Sequence, residues 1–307
     1  MIQLSVIIPF YNSSEYFEES LESLKVNLNE EIEVLLIDDG STDNSLEIIN
    51  KVFNETPDRI KTLFRPIDRP KGANACRNYG LEHANGQWVM FLDSDDLLSS
   101  TCILDRMCYI NQNKKCDMYI FQTGFINNEK VNIGLFSCNI NMTIDEMVLC
   151  FLEHKVLWHT MSVVWNRNYL RNIGGWNEMY PRLQDVELNI RALLKNVNIH
   201  IFEKERVDSF YRYLPLNEIK RNAARYGFVM LLHDYYPVVM KRFKDENIRD
   251  KILDIFQKKI ISLLGDYMQS ECIDEEWCNL FLKTLEVCEM DREEILEINF
   301  FFKRKKE

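Results

Sequence analysis

The sequence predicts an α/β fold: a mostly parallel, doubly wound sheet flanked by helices, followed by a helical C-terminal region. Two observations carry this prediction. Up to Ser99, short apolar runs alternate with segments whose apolar residues recur at helical spacing, and each connection is long enough for a crossover. After Pro215 the short apolar runs stop and only amphipathic helical patterns remain.

The first buried strand is predicted at 4–8, and Pro9 is expected to end it because proline has no N–H for a sheet ladder. The next strands are predicted at 32–37, 60–64 and 88–93. Helices between them are predicted from the spacing of Phe17, Leu21, Leu24 and Leu28, from that of Leu46, Ile49 and Phe53, and over 71–84.

From Ser99 to Pro215 the alternation is less regular. Helices are predicted over 103–110, 143–152 and 184–195, and strands over 117–125 and 207–213. Beyond Pro215, helices are predicted over 226–232, 252–268, 277–285 and 295–302. No proline- or glycine-rich linker divides the chain before Pro215, so we expect that part to pack as one body.

Composition excludes some classes of protein. The net charge of −11 argues against a nucleic-acid-binding protein. The nine cysteines form no Cys-X-X-Cys pair and the five histidines show no metal-ligand spacing, so buried thiols in a reducing cytoplasm and structural histidines are expected. No segment has the pattern of a signal peptide or the length of a membrane span, which predicts a cytoplasmic protein.

Carboxylates follow two of the predicted parallel strands, and an aromatic residue follows a third. Asp38 and Asp39 end the second strand, while Asp93, Asp95 and Asp96 follow the fourth and Tyr11 follows the first. The carboxyl ends of parallel strands share one edge, where ligands bind. Such close carboxylates repel each other unless a cation lies between them or one of them takes up a proton, and Mg²⁺ or Mn²⁺ prefers oxygen ligands. The alternative is a solvated turn or a helix N-cap.

Four motifs follow one another along the first part of the chain: Ser5-Val6-Ile7-Ile8-Pro9-Phe10-Tyr11-Asn12, Ile37-Asp38-Asp39-Gly40-Ser41-Thr42-Asp43, Arg77-Asn78-Tyr79-Gly80 and Phe91-Leu92-Asp93-Ser94-Asp95-Asp96. In order and spacing they resemble the motifs of the family-2 glycosyltransferases, which are inverting enzymes with the GT-A fold. The resemblance covers roughly residues 4 to 213 and is to the soluble, non-processive bacterial type.

For the donor, the resemblance implies that Tyr11 and Asp39 contact the nucleotide base, with Asp38 close by. Pro9 and Asn12 would shape that pocket.

The resemblance also assigns the diphosphate end of the site. Asp93 and Asp95 form the Asp-X-Asp signature around Ser94, which is counted with the nucleotide-sugar-binding residues. Asp95 would hold Mn²⁺ or Mg²⁺, Asp93 would face the ribose or the metal, and Asp96 would either take part or cap the next helix. Lys71 and Arg77 are candidates for the diphosphate; alternatively, Arg77 forms an ion pair with Asp93 or Asp38.

In the second half, Gly174-Gly175-Trp176-Asn177-Glu178 and Gln184-Asp185 resemble the acceptor loop and the Glu-Asp motif. Asp185 would be the catalytic base, or else only a helix cap. Gln184 stands where the family has glutamate, which weakens any role that needs charge there. His159, Trp176 and Gln184 are candidates for acceptor contacts, although a large aromatic such as Trp176 is more often core.

The resemblance implies transfer of one sugar from a nucleotide sugar, most often a UDP-sugar, to a glycan or lipid-linked acceptor. Residues 1–98 would bind the donor and 99–214 the acceptor within one GT-A domain, with 215–307 as a helical region. The helices of that region and the basic tip 303–306 are candidates for contact with the inner face of a membrane, and a homodimer is a further expectation.

Two alternatives stay open. A nucleotidyltransferase would have a glycine- and arginine-rich loop after its first strand, where this chain has Pro9-Phe10-Tyr11-Asn12. A non-catalytic nucleotide-sugar-binding protein is the other.

Overall fold

The computed structural model describes residues 1–53, 58–113, 116–127, 131–136, 141–202, 207–215, 217–269 and 275–306. The chain forms two compact units. The first comprises Met1–Met179 and Leu188–Pro215, and the second comprises Tyr180–Glu187 and Leu216–Glu307.

The strands all belong to the first unit. In chain order they are β1 (Leu4–Phe10), β2 (Ile32–Asp38), β3 (Ile60–Phe64), β4 (Trp88–Phe91), β5 (Leu97–Leu98), β6 (Met118–Ile120), β7 (Thr123–Ile126), β8 (Val131–Leu135), β9 (Val163–Asn166), β10 (Ile199–Ile201) and β11 (Ser209–Arg212). Seven of them form one sheet in the order β10-β6-β9-β4-β1-β2-β3, in which only β9 runs antiparallel to its neighbours. The other four form a smaller sheet in the order β5-β11-β7-β8.

Helices α1 (Phe17–Lys25), α2 (Ser45–Val52), α3 (Ala73–His83), α4 (Cys102–Gln112), α5 (Ile144–Leu152) and α6 (Arg167–Asn172) also belong to the first unit. Helix α7 (Gln184–Leu194) begins in the second unit and ends in the first. All residues of β1, β2 and β4 are buried, as expected of central strands covered on both faces. The predicted α/β fold with a mostly parallel sheet is therefore confirmed.

Two predictions about the strands are wrong. Pro9 does not end β1, which continues to Phe10. The ladder between β1 and β4 ends at Ile7, whose carbonyl accepts the Leu92 N–H at 3.1 Å. Since residues two apart on a strand face the same neighbour, the nitrogen of Pro9 lies beyond the end of β4 and no ladder bond is lost.

The strand predicted at 117–125 is in fact two strands. Its first part, β6, belongs to the large sheet and its second part, β7, belongs to the small one. The break falls at Phe121 and Gln122, where the Phe121 N–H donates to the Ser162 carbonyl at 2.8 Å.

The second unit is helical, as predicted for the C-terminal region. Its helices are α8 (Glu218–Arg242), α9 (Glu246–Gln269), α10 (Glu275–Val287) and α11 (Arg292–Lys306). Each helix is longer than its apolar pattern predicts. The core of the unit contains Tyr236 against Phe256 and a stacked pair of Trp277 and Phe281, with ring centroids 4.8 Å apart. Within the described ranges, no helix is both long and apolar enough to span a bilayer.

Candidate functional site

A cleft of about 250 Å³ opens at the carboxyl end of the central strands in the first unit. The register of the sheet places Phe10, Asp38 and Phe64 side by side at the ends of β1, β2 and β3. The residues that line the cleft lie at the end of β1, follow β1, β2 or β4, or lie on the first turns of α3. They are Pro9, Phe10, Tyr11, Ser13, Asp39, Ala73, Cys76, Arg77, Asp93, Ser94 and Asp95. The sheet therefore brings together seven of the residues predicted to contact the donor or its metal.

At one end of the cleft, the Asp39 carboxylate is paired with the Arg65 guanidinium. Asp39 is 6% exposed, and its N–H donates to the Phe10 carbonyl at 3.0 Å. Arg65 also donates to the Pro66 and Arg69 carbonyls, at 2.9 and 2.6 Å. These bonds fix the carboxylate in place. Sequence reasoning missed Arg65, although its position directly after β3 marked it as a neighbour of the other strand ends.

Tyr11 is 45% exposed at the mouth of the cleft. The Lys71 ammonium lies 3.6 Å from the centroid of its ring, so these two predicted residues contact each other.

Asn12 and Asp38 instead shape the loop after β2. The Asp38 carboxylate accepts from the Ser41 N–H and hydroxyl, at 2.9 and 2.6 Å. Asn12, at φ +47°, accepts from the Thr42 N–H at 2.8 Å.

The Arg77 guanidinium, which is 4% exposed, donates to the Asp93 carboxylate at 2.6 Å. The ion-pair alternative for Arg77 is thus present, with Asp93 as the partner. Beside it, the Ser94 and Ser13 hydroxyls are hydrogen-bonded at 2.8 Å, which links the loop after β4 to the loop after β1.

Asp93 and two other side chains form a cluster of ligand atoms that suits a divalent cation. Ligand atoms of Asp93, Asp96 and His159 all lie within 4.8 Å of one another. Asp96 is fully buried, and its Oδ2 has no hydrogen-bond partner among the described residues. Burial, and after it the charges of Asp95 and Asp93, raise the pKa of Asp96 well above its usual range. Two carboxylates and an imidazole are a donor set that fits Mn²⁺ or a similar cation. Sequence spacing did not indicate His159 as a member of this set.

Arg212, on β11, holds the Asp95–Asp96 segment. Its backbone N–H donates to Asp96 Oδ1 and its Nε donates to the Asp95 carbonyl, both at 2.8 Å. Its Nη2 donates to Glu19 at 2.6 Å. The small sheet thereby fixes the backbone of the Asp-X-Asp segment. The hydrogen bonds from Arg212 to Asp95 and Asp96 were not predicted, because Arg212 lies 117 and 116 residues along the chain from these partners.

The segment 174–178 is held against α3 through Asn78. The Asn78 Oδ1 accepts the Trp176 N–H at 2.8 Å, while its Nδ2 donates to the Trp176 carbonyl and to Glu178, also at 2.8 Å. The neighbouring Asn74 donates to the Asn177 carbonyl at 2.6 Å. Arg77 connects this segment to the Asp-X-Asp segment, because its guanidinium carbon lies 4.4 Å from the Trp176 ring centroid.

The residues predicted to bind the acceptor lie in different surroundings. Trp176 is 3% exposed and packs edge-on against Phe91. His159 is 8% exposed and lies against Tyr211. Gln184 and Asp185 belong to the second unit, where they form the first turn of α7. Asp185 lies inside the helix, with its Oδ1 accepting the Val186 N–H at 2.9 Å. The roles of these residues stay predictions.

Comparison with known proteins agrees with this geometry. The chain matches the family described as Glycosyl transferase family 2 over residues 5–172. It is 39% identical over 110 residues to an uncharacterised glycosyltransferase of Haemophilus influenzae, covering 36% of this chain and 43% of the relative. It is 32% identical over 138 residues to the poly(ribitol-phosphate) β-N-acetylglucosaminyltransferase TarS of Staphylococcus aureus, covering 44% of this chain and 23% of TarS. The chain thus spans less than half the length of these relatives.

Among solved structures, residues 1–349 of S. aureus TarS in complex with UDP-GlcNAc align with a TM-score of 0.70 and 20% identity. The alignment covers 94% of this chain and 82% of that one, and it shows a shared fold. Because the family match spans more than half of the chain and its motifs meet in one cleft at the ends of the parallel strands, the protein belongs to glycosyl transferase family 2.

Proposed function

We propose that this protein transfers one sugar from a UDP-sugar to a hydroxyl group of a glycan or a lipid-linked saccharide, with inversion at the anomeric carbon. The observation that carries the proposal is the convergence of Tyr11, Asp39, Arg77, Asp93 and Asp95 on one cleft. Two features of relatives support the choice of donor: TarS is a β-N-acetylglucosaminyltransferase, and its structures hold UDP-GlcNAc or UDP.

The base-binding end would use Tyr11 and Asp39. The base would stack on the exposed Tyr11 ring, either on the face opposite Lys71 or in place of the Lys71 ammonium. The Asp39 carboxylate, oriented by Arg65, would accept an N–H of the base. Lys71, once displaced from the ring, has the charge and reach to bind a phosphate oxygen.

The diphosphate end would use Asp93, Asp95 and the cation-compatible set around them. Asp95 would hold Mn²⁺ or Mg²⁺ from the wall of the cleft, together with Asp93, Asp96 and His159. When bound, such a cation would neutralise negative charge on the departing diphosphate. Arg77 would keep Asp93 oriented, and Arg212 would keep the Asp95 backbone carbonyl and the Asp96 carboxylate in place.

Asp185 is proposed as the base that takes the proton from the acceptor hydroxyl. An inverting transfer needs one carboxylate opposite the leaving group, and no covalent intermediate with the protein forms. Among the described residues, the Asp185 carboxylate accepts one hydrogen bond, from the Val186 N–H to Oδ1, which leaves it with acceptor capacity for a hydroxyl.

The first experiment is a screen of nucleotide sugars for thermal stabilisation in the presence of Mn²⁺, followed by calorimetry of the best ligand. Asp95→Asn should abolish metal-dependent UDP binding. Asp185→Asn should retain UDP binding and lose sugar transfer, which is followed by release of UDP from the identified donor. Asp105→Asn, an exposed carboxylate on α4, is the matched control and should change neither property.

The outcomes separate the alternatives. Loss of UDP binding in both site variants would reject this division of roles. Tight binding of a nucleotide sugar by the wild-type protein without turnover, across a panel of glycan and lipid-linked acceptors, would favour a non-catalytic binding protein. Release of pyrophosphate from a nucleoside triphosphate and a sugar phosphate would identify a nucleotidyltransferase instead.

A further inference from the structure

The last helix of the second unit exposes large apolar side chains close together. On α11, Leu296 is 60% exposed, Phe300 is 62% exposed and Phe301 is 36% exposed. Single exposed apolar residues are ordinary on protein surfaces. Two adjacent exposed phenylalanines near the end of one helix form a local patch, which marks an interaction site more often than isolated residues do.

The burial of Phe302 sets the position of this patch. Phe302, which follows directly, is 2% exposed and lies 6.1 and 6.2 Å from the rings of Phe281 and Trp277 on α10. Successive side chains on a helix are about 100° apart, so burial of Phe302 turns Phe300 and Phe301 away from the core. Their exposure therefore follows from the packing of α11 on α10.

Charge along α11 is segregated. The acidic residues Asp291, Glu293, Glu294 and Glu297 precede or lie in its first half, while residues 298–306 contain none and end in Lys303-Arg304-Lys305-Lys306. Lys303 is exposed and lies three residues after Phe300, a spacing that makes them neighbours on the helix surface. Basic residues near a helix C-terminus also suit the helix dipole, but the dipole gives no reason to expose aromatic rings next to them.

Exposed aromatic rings next to a cluster of cations match the chemistry of an anionic bilayer surface. Aromatic and aliphatic side chains enter the headgroup region, and lysine and arginine are attracted to lipid phosphates. An acidic first half would be repelled by the same surface, so contact would be made by the end of the helix. We propose that the C-terminal end of α11 binds membranes that contain anionic lipid, through Phe300, Phe301 and Lys303, at the start of the basic sequence Lys303-Arg304-Lys305-Lys306.

The test is co-sedimentation of the full chain with vesicles of phosphatidylcholine alone or with phosphatidylglycerol at about one third of the lipid. Partitioning should be at least tenfold stronger on the anionic vesicles, and should fall as salt is raised. The variant Phe300→Ser/Phe301→Ser should lose about tenfold in partitioning, and Lys303→Glu/Arg304→Glu should lose a similar factor. Ile261→Ser and Lys251→Glu, exposed positions on α9, are the matched controls and should bind as the wild type does.

Equal partitioning of the wild-type protein on both kinds of vesicle, or equal losses in the α9 controls, would overturn the proposal. Sedimentation equilibrium without lipid tests whether a second copy of the chain, rather than a membrane, covers this patch. A wild-type dimer that dissociates in Phe300→Ser/Phe301→Ser, with no binding to either vesicle, would assign the patch to a second copy of the chain. Circular dichroism of each variant checks that α11 still forms. None of these readouts depends on sugar transfer, so they fail or succeed independently of the proposed function.

Discussion

Replacement of Asn78 by alanine should release the segment 174–178 while the rest of the first unit stays folded. Asn78 makes three hydrogen bonds to this segment, each at 2.8 Å. A net value of about 1 kcal/mol for each bond gives about 3 kcal/mol, and the cost rises if the Trp176 N–H and carbonyl stay buried without partners. Since 1.4 kcal/mol corresponds to a factor of ten, local opening should become roughly 100-fold more frequent.

Hydrogen exchange of the peptide that contains Trp176 measures this opening directly. Asn78→Asp keeps the acceptor for the Trp176 N–H, but it loses both donated bonds and places its charge beside Glu178, so it should also accelerate exchange. Asn74→Ala removes one bond to the segment, of about 1 kcal/mol, and should give roughly a fivefold effect. His83→Ala, at the exposed end of α3, is the control and should have no effect.

Two results would refute the reasoning. Exchange in Asn78→Ala that equals that of the wild type would mean that Asn78 does not hold the segment. Exchange that accelerates equally in β1, β2 and the segment would mean that Asn78 supports the unit as a whole.

Three further predictions concern stability. Gly175→Ala should destabilise the first unit by about 1–3 kcal/mol in a urea titration, because φ is +62° and the new Cβ would lie 2.5 Å from the Asn78 Oδ1. Gly40→Ala, at φ +85° with open space around it, should destabilise the unit less in the same titration. Arg106→Met should lower the free energy of unfolding in urea by about 3–5 kcal/mol, because it leaves Asp208 buried without the guanidinium that now contacts both its oxygens at 2.5 and 2.8 Å. The double variant Arg106→Met/Asp208→Leu should lose less stability than Arg106→Met alone, and a larger loss would contradict this reasoning. Slight burial acts to raise the pKa of Asp43, but hydrogen bonds from Ser45 and Ser14 outweigh it and lower the pKa from 3.8 to about 2. The contribution of Asp43 to stability is therefore present above pH 3.8 and lost as pH falls through 2. Asp43→Asn should flatten the loss of stability across that range in acid titrations followed by circular dichroism.

The sequence was sufficient to predict the sheet and its functional edge. The apolar runs of β1 to β4 are long enough to identify strands, and alternation with helices makes them parallel. Parallel strands share one carboxyl edge, so residues such as Tyr11, Asp39 and Asp93 had to meet there. Short elements gave no such signal. The strand β5 has two residues and α6 has six, which is too few for a hydrophobic period.

What the sequence did not predict depends on contacts between distant parts of the chain. Arg65 and Arg212 are single basic residues whose carboxylate or carbonyl partners lie 26 and 117 residues away. The division of 117–125 between two sheets depends on which strands are available as neighbours, and periodicity does not contain that information. The helix α8 is longer than its apolar pattern because polar residues of its first turns, such as Glu218, Arg221 and Arg225, pair with one another along the helix surface.

The attachment of 174–178 to α3 has a consequence for engineering by exchange of loops. Transplanting this segment into a relative would separate Gly175 from Asn78, whose amide occupies the space that a Cβ at Gly175 would need. It would also remove the hydrogen bond that Asn74 donates to the segment. A chimera that carries the matching face of α3 together with the loop keeps those bonds, but it also replaces the surroundings of Arg77, and with them the orientation of Asp93. Because the proposed acceptor segment and the proposed donor residues share these contacts, redesign of either one entails measuring the affinity for both substrates.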